Sequence, residues 1–159
     1  MNKENKNTNH SDEFKNVEYL NFAIITSEWN FKITDRLTIG LERELKKKGV
    51  LTENIHKYTV PGSFELINAC SSLINNLEYS AIIVVGCIIK GQTYHFECIS
   101  NSVASSIGHL NSLGKTPVVF CVLTDKNIQQ SLDRSGGKYG NKGEEAAITA
   151  LRMATLKFK

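Results

Sequence analysis

The chain has 159 residues, of which 41% are hydrophobic and 22% charged, a composition typical of one globular domain with its own core. Its 19 basic and 16 acidic side chains leave a formal net charge of +3, too small to indicate a nucleic-acid partner. No apolar run approaches the roughly 20 residues of a membrane helix, so no membrane partner is predicted either.

Residues 1–16 form a polar segment rich in Asn and Lys. The segment has no apolar stretch of the kind found in secretory signals, and it is predicted to be a flexible N-terminal arm. Residues 17–159 are predicted to form a single α/β domain, since no long linker or internal repeat divides them.

Two hydrophobic periodicities alternate beyond the arm. Short, apolar, β-branched runs predict strands at residues 19–26, 54–60, 81–89 and 117–123. Apolar residues three or four positions apart predict helices at residues 33–45, 64–74, 96–110, 127–134 and 144–156. The alternation predicts an α/β three-layer sandwich, in which a four-stranded parallel sheet of flavodoxin-like order is flanked by helices on both faces.

The cysteines indicate the redox environment of the protein. Four of them stand in apolar or helical surroundings with no CxxC spacing: Cys70, Cys87, Cys98 and Cys121. This pattern predicts buried free thiols and a reducing, cytoplasmic location. It also predicts no structural metal, because the paired ligand spacing of a zinc site is missing.

Ligands of parallel α/β folds bind beyond the carboxyl ends of the strands, so the residues there are candidate site residues. Trp29 follows the first strand and either caps the sheet edge or stacks on a planar ligand. Gly62 and Ser63 follow the second strand, where their backbone N–H groups form either an ordinary helix entry or a ligand contact. Glu65 in the same turn complements a helix dipole.

A turn after the third strand leads into a helix that begins near His95. Free N–H groups at a helix start favour an anion, although the turn lacks the ending of a P-loop. The positive end of the dipole favours a neutral imidazole at His95, which can accept a proton near pH 7; the alternative is a solvated or capping His. Beyond the fourth strand, Arg134 and Lys142 either neutralise a phosphate or remain solvated surface cations.

Together, the strand ends supply an aromatic face, a backbone amide cradle, an imidazole and two cations. These groups suit a metal-free, cofactor-free acid–base reaction on a phosphorylated small molecule. The segments that carry them resemble, in this order, the lumazine synthase family: EWN at 28–30, VPGSFE at 60–65, GCIIKGQTYHFE at 86–97, PVVFCVLT at 117–124 and RSGGKYGNKGEEAA at 134–147.

The resemblance implies an enzyme of riboflavin biosynthesis. The family condenses 5-amino-6-(D-ribitylamino)uracil with 3,4-dihydroxy-2-butanone 4-phosphate and releases 6,7-dimethyl-8-ribityllumazine, inorganic phosphate and water. The resemblance implies that Trp29 stacks on the pyrimidine. It implies further substrate contacts at Asn30, Gly62, Ser63, Phe64, Glu65, Cys87, Ile88 and Ile89.

The resemblance also implies how the phosphate and the protons are handled. Gln92 and Thr93 match the family's phosphate turn, Arg134 its phosphate-binding arginine, and His95 its proton shuttle. In this family Phe120, Arg134 and Lys142 come from the neighbouring subunit. The implied assembly is therefore a homo-oligomer, a pentamer or a 60-subunit icosahedral shell, with riboflavin synthase as a candidate partner.

Three positions depart from the family pattern, and three rival functions stay open. Lys90 replaces a usual arginine, whereas Ile67 and Cys121 are expected to change only packing. The rivals are a flavin-binding module without turnover, a container whose product is the shell, and a receiver-like signalling domain. The joint presence of His95 and Arg134 favours the enzyme, and a receiver needs an acidic cluster where Glu28 stands alone.

Overall fold

The computed structural model describes residues 14–75, 78–113 and 116–157. Its main sheet has four parallel strands in the order β2-β1-β3-β4. The strands are β1 (Phe22–Ser27), β2 (Ile55–Val60), β3 (Ala81–Ile89) and β4 (Val118–Asp125). The helices are α1 (Phe31–Lys47), α2 (Leu66–Ile74), α3 (His95–Ser112), α4 (Ile128–Arg134) and α5 (Lys142–Thr155). The predicted fold class, a parallel sheet between two helical layers, is confirmed.

Each face of the sheet carries its own apolar core. Along β1, Phe22 and Ile24 pack in a cluster that includes side chains of α1 and α5. The alternate residues, Ala23 and Ile25, pack in a second cluster that includes side chains of α2 and α3. Because β3 lies between β1 and β4, its first seven residues are buried, and its sequence reads as a continuous apolar run.

The parallel register brings the carboxyl ends of the strands to one edge of the sheet. Ser27 of β1 lies opposite Val60 of β2, and Ile89 of β3 lies opposite Asp125 of β4. The loops that follow β1, β2 and β3 therefore start side by side. This edge is where the predicted site residues should meet.

The start of the first strand was predicted too early. Residues Val17–Tyr19 form a 3-10 turn, closed by the Leu20 N–H donating to the Val17 carbonyl, and β1 begins at Phe22. Tyr19 is apolar enough to extend a strand pattern, but its ring is exposed. A pattern of side-chain types does not distinguish an exposed turn from a strand end.

The glycine-rich segment between α4 and α5 forms a hairpin that the sequence did not reveal. Strand β5 (Ser135–Gly137) pairs with β6 (Gly140–Asn141) in antiparallel fashion. The Asn141 side chain then accepts a hydrogen bond from the Gly143 N–H at 2.8 Å. This cap starts α5 at Lys142, two residues before the predicted start.

Some predictions fall outside the described residues or are only partly covered by them. The predicted stop at Gly114 and residues 1–13 of the predicted arm are not among the described residues. Phe14, near the end of that arm, packs against the core on the α1 and α5 side of the sheet. Within the described ranges, no helix is both long enough and apolar enough to span a membrane.

Candidate functional site: two clefts built from different strands

Two clefts collect most of the predicted site residues, and the clefts share no lining residue. The first cleft has a volume of about 590 Å³ and is lined by the loops after β1, β2 and β3 together with the start of α3. The second cleft, about 400 Å³, lies along the edge strand β4 between α5 and the end of α4. Both volumes lie in the range of small-molecule sites.

Trp29 stands at the mouth of the first cleft on a rigid support. The backbone N–H groups of Glu28 and Trp29 donate to the Val60 and Pro61 carbonyls at 2.8 and 3.2 Å. Asn30 has a left-handed backbone with φ of 58°, and its Nδ2 donates to the Cys87 carbonyl at 2.9 Å. The indole is 72% exposed, so in the protomer Trp29 is not a buried cap of the sheet edge.

Another wall of the first cleft is formed by the loop between β2 and α2. Ser63 is buried there against Gly86 of β3, and a Cβ at Gly86 would lie 2.9 Å from the Ser63 Oγ. Glycine at position 86 therefore lets this loop approach the sheet. Phe64 and Glu65 follow with exposed side chains, and the Glu65 carboxylate folds back over Gly62.

His95 is the first residue of α3 and lines the first cleft with an exposed side chain. Lys90, just before the turn, bonds to Glu97 at 2.6 Å and lies 5.8 Å from the centre of the Phe96 ring. The hydrogen bond from Lys90 lowers the pKa of the half-buried Glu97 carboxyl. Lys90 itself does not line the cleft, whereas His95 does.

Arg134 lies in the second cleft at the end of a hydrogen-bonded chain. Its Nη1 donates to Asp125 Oδ1 at 2.7 Å. The other carboxylate oxygen accepts from Ser131 Oγ at 2.8 Å, and Cys87 Sγ donates to the same hydroxyl at 3.4 Å. Burial, opposed in part by the Ser131 hydrogen bond, raises the pKa of the Cys87 thiol.

The lining of the second cleft also includes Phe120, Lys142 and Glu145. Phe120 projects from β4 with an exposed ring, and Lys142 bonds to Glu145 at 2.6 Å. The cleft thus offers an aromatic surface beside a guanidinium and an ammonium group. An anion attached to a small organic group would find complementary contacts here.

The structure brings most of the predicted residues together, but in two groups. The first cleft holds Trp29, Asn30, Gly62, Ser63, Phe64, Glu65, Cys87, Ile88, Ile89, Thr93 and His95. The second holds Phe120, Arg134 and Lys142. Gln92 is exposed in the turn between Gly91 and Thr93 and does not line either cleft.

Sequence reasoning missed several residues of this region. Gly91, Phe96 and Ile99 also line the first cleft. Asp125 accepts a hydrogen bond from Arg134, and Ser131 in turn donates to Asp125; the only signal for them was an acidic residue close after an apolar strand. No group of three or more potential metal ligands occurs in the part of the chain that the structure describes.

The prediction of four buried thiols was wrong for one of them. Cys70, Cys87 and Cys121 are buried, whereas Cys98 is exposed on α3, and all four are free. Cys98 lies in a helix whose buried face is formed by Val103, Ile107 and Leu110. The apolar neighbours of Cys98 in sequence therefore point to a different side of the helix.

Comparison with known proteins gives a consistent result. A family model described as 6,7-dimethyl-8-ribityllumazine synthase matches residues 19–157. A protein of that name from Flavobacterium psychrophilum is 45% identical over 155 residues, covering 96% of this chain and 82% of the relative. Relatives of the same name include that of Christiangramia forsetii, 48% identical over 89% of this chain and 85% of its own. Another, from Bacteroides fragilis, is 45% identical over 84% of this chain and 94% of its own.

Proposed function

The chain belongs to the 6,7-dimethyl-8-ribityllumazine synthase family, and we propose how its two clefts carry out the family reaction. The protein is a transferase of riboflavin biosynthesis. It condenses 5-amino-6-(D-ribitylamino)uracil with 3,4-dihydroxy-2-butanone 4-phosphate. The products are 6,7-dimethyl-8-ribityllumazine, inorganic phosphate and water.

The first cleft binds the pyrimidine substrate. The indole of Trp29 is exposed, so it can stack on the planar ring. The hydrogen bond from the Trp29 backbone to the Pro61 carbonyl holds the residue in place for this contact. Backbone groups of residues 87–89 bind the ring edge. Asn30, Ser63 and Glu65 face the ring and the ribityl hydroxyls, with Gly62 and Phe64 shaping the wall.

The second substrate places its phosphate between the turn at residues 92–93 and the guanidinium of Arg134. The free N–H groups at the start of α3 and the positive charges of Arg134 and Lys142 stabilise the departing phosphate. Much of the remaining rate enhancement comes from holding the two substrates in reacting orientation.

His95 moves protons during the condensation. The substrate amine attacks the ketone and water leaves to form an imine; phosphate is then eliminated, and the resulting enol tautomerises before the ring closes with loss of the second water. Each of these steps transfers a proton, and a positioned imidazole contributes roughly 10²- to 10⁴-fold to such transfers. No metal or redox cofactor takes part in this scheme.

A complete site forms between two protomers. The supporting observation is that His95 and Trp29 line one cleft while Phe120, Arg134 and Lys142 line another with no residue in common. We place the first cleft of one protomer against the second cleft of its neighbour in a ring. The ring is a pentamer, and the short Gly-rich hairpin after α4 favours the shell of twelve pentamers.

The remaining features follow from the same assignment. Residues 17–159 form the catalytic domain, preceded in the chain by the polar segment of residues 1–16, whose Phe14 packs against the domain. The four free thiols support a cytoplasmic location. Riboflavin synthase is the candidate partner, because it consumes the product of this reaction.

The observation that carries the mechanism is that His95 and Trp29 line the same cleft. Replacing His95 by alanine removes the imidazole at the exposed start of α3. We expect turnover to fall by at least about tenfold, because the proton transfers lose their carrier. Formation of the fluorescent lumazine from both substrates measures the rate.

The matched control is His109→Ala, in the last turn of the same helix and exposed like His95. We expect this variant to keep the wild-type rate and His95→Ala to keep its affinity for the pyrimidine substrate. An unchanged rate in His95→Ala would reject the shuttle role. Absence of lumazine formation by the wild-type protein would reject the enzyme altogether.

A further inference from the structure

Asp125 is a buried carboxylate whose two oxygens have different partners. The residue ends β4 and is 5% exposed. One oxygen accepts from Ser131 of α4 and the other from Arg134, at 2.8 and 2.7 Å. Ser131 is itself fully buried, so the orientation of the carboxylate is fixed from the protein interior.

Arg134 is the last residue of α4, and its side chain is 32% exposed. A long guanidinium side chain in such a place would otherwise sample many rotamers. The bond to Asp125 uses one N–H of Nη1 and leaves the other guanidinium N–H groups for a ligand in the second cleft. The rigid carboxylate therefore restrains the group that meets the ligand.

We propose that Asp125, held by Ser131, is a positioning residue that aims Arg134 at the phosphate of the second substrate. The proposal rests on the proposed function, in which Arg134 binds that phosphate. Asp125 acts through Arg134 and does not touch the substrate. Ser131 contributes by keeping the carboxylate oxygens in the plane that Arg134 requires.

The charge and the geometry of Asp125 have opposite effects on phosphate binding. Removal of a negative charge beside Arg134 alone would tighten the binding of an anion. Loss of the orientation of Arg134 would weaken phosphate binding, because a misdirected guanidinium group no longer donates to the phosphate oxygens. Asp125→Asn keeps an acceptor for Arg134 and removes the charge, whereas Asp125→Ala removes both.

We expect Asp125→Ala to raise the KM for the phosphorylated substrate by about tenfold and the KM for the pyrimidine substrate by less than about twofold. The Kd of inorganic phosphate, measured by calorimetry, should rise by the same factor as the first KM. Asp125→Asn should restore phosphate binding to the wild-type level or better. Ser131→Ala should show a smaller loss of about threefold in the same direction.

Glu44→Gln is the matched control, since it breaks the ion pair with Lys47 on α1, and neither residue lines a cleft. It should leave both KM values unchanged. A purely structural Asp125 would lower thermal stability and move both KM values together, which would overturn the proposal. Equal or tighter phosphate binding by Asp125→Ala would overturn it as well.

Two further outcomes are informative. If Asp125→Ala does not fold, the Ser131→Ala variant tests the proposal instead. An unchanged Kd of phosphate in Ser131→Ala would then reject it. If the wild-type protein forms no lumazine, the proposed function fails, but the phosphate titrations of wild type, Asp125→Asn and Ser131→Ala still test the positioning of Arg134.

Discussion

At the scale of the residue, solvent exposure divides the four cysteines into three that are buried and one that is exposed. Burial raises the pKa of Cys70 to about 11 and that of Cys121 to about 12, and it also raises the pKa of Cys87. Because the thiolate is the nucleophile, these three thiols are poorly reactive in the folded protein. The thiol of Cys98, in contrast, is exposed to solvent.

We therefore expect a disulfide reagent at about pH 8 to modify one thiol of the native protein quickly and the others only on unfolding. The absorbance of the released chromophore measures the number of fast thiols. Cys98→Ser should abolish the fast phase, whereas Cys70→Ser should leave it intact. A fast phase that survives in Cys98→Ser would contradict the burial of the other three.

Cys121 also makes stability depend on pH in a defined direction. Its pKa rises from 9.0 to about 12 on folding, chiefly through burial. As the pH rises, the Cys121 thiol of the unfolded chain therefore loses its proton before that of the folded protein. The free energy of unfolding keeps its full value below about pH 9 and decreases as the pH rises toward about 12.

The test compares urea unfolding of wild type and Cys121→Ala at about pH 8 and about pH 10. We expect the free energy of unfolding of the wild type to fall more steeply with pH, by up to about 1.4 kcal/mol per pH unit. Cys98→Ala, which changes an exposed thiol, is the control. Parallel pH profiles for wild type and Cys121→Ala would contradict the raised pKa.

At the scale of the secondary-structure element, the main feature is the close contact between helices α1 and α5. A Cβ at Gly143 would lie 1.9 Å from the Leu37 carbonyl oxygen, so the backbones of the two helices touch. Asn141 reinforces the contact, since its Nδ2 donates to the Arg36 carbonyl at 2.9 Å. The GNKG motif therefore has a packing role in addition to its place in the family pattern.

Gly143→Ala should destabilise the protein by about 3 kcal/mol, because the added methyl forces α1 and α5 apart. Gly108→Ala is the matched control in α3, where an added Cβ meets no atom within 4 Å. That variant should be more stable than wild type by about 0.5–1 kcal/mol, because alanine favours the helix. Urea denaturation measures both, and equal stability of the two variants would contradict the close contact.

At the scale of the whole molecule, the proposed division of the site between protomers has the main consequence. The proposed assembly pairs His95 of one subunit with Arg134 of the next. Two variants with strongly reduced activity, His95→Ala and Arg134→Ala, should then complement each other when they are co-expressed. A random mixture in a ring places both wild-type groups in about one quarter of the sites.

We therefore expect the mixed oligomer to regain about a quarter of the wild-type rate of lumazine formation. Native mass measurement confirms that both variants are present in one assembly. Mixing His95→Ala with the double variant His95→Ala, Arg134→Ala is the control and should restore nothing. No recovery in the first mixture would show that each site is contained in one protomer.

Local patterns were sufficient for the sheet and for most of one cleft. The buried run at 81–89 and the apolar spacing from Ile33 to Leu45 predicted β3 and α1 because burial imposes a period on each segment separately. Parallel strands then had to deliver Trp29, Ser63 and His95 to one edge of the sheet. These steps need only the chain and the rules of parallel α/β folds.

Contacts between distant segments were decided by the tertiary structure alone. Nothing in the sequence indicates that Asp125 bonds to both Ser131 and Arg134, or that Gly143 meets Leu37 across 106 positions. The choice of partner depends on where the packed elements come to lie, whereas periodicity reports only which side of an element faces the core. The amino-acid sequence thus determined the elements and the chemical groups at their ends, and the packing of those elements separated the groups into two clefts.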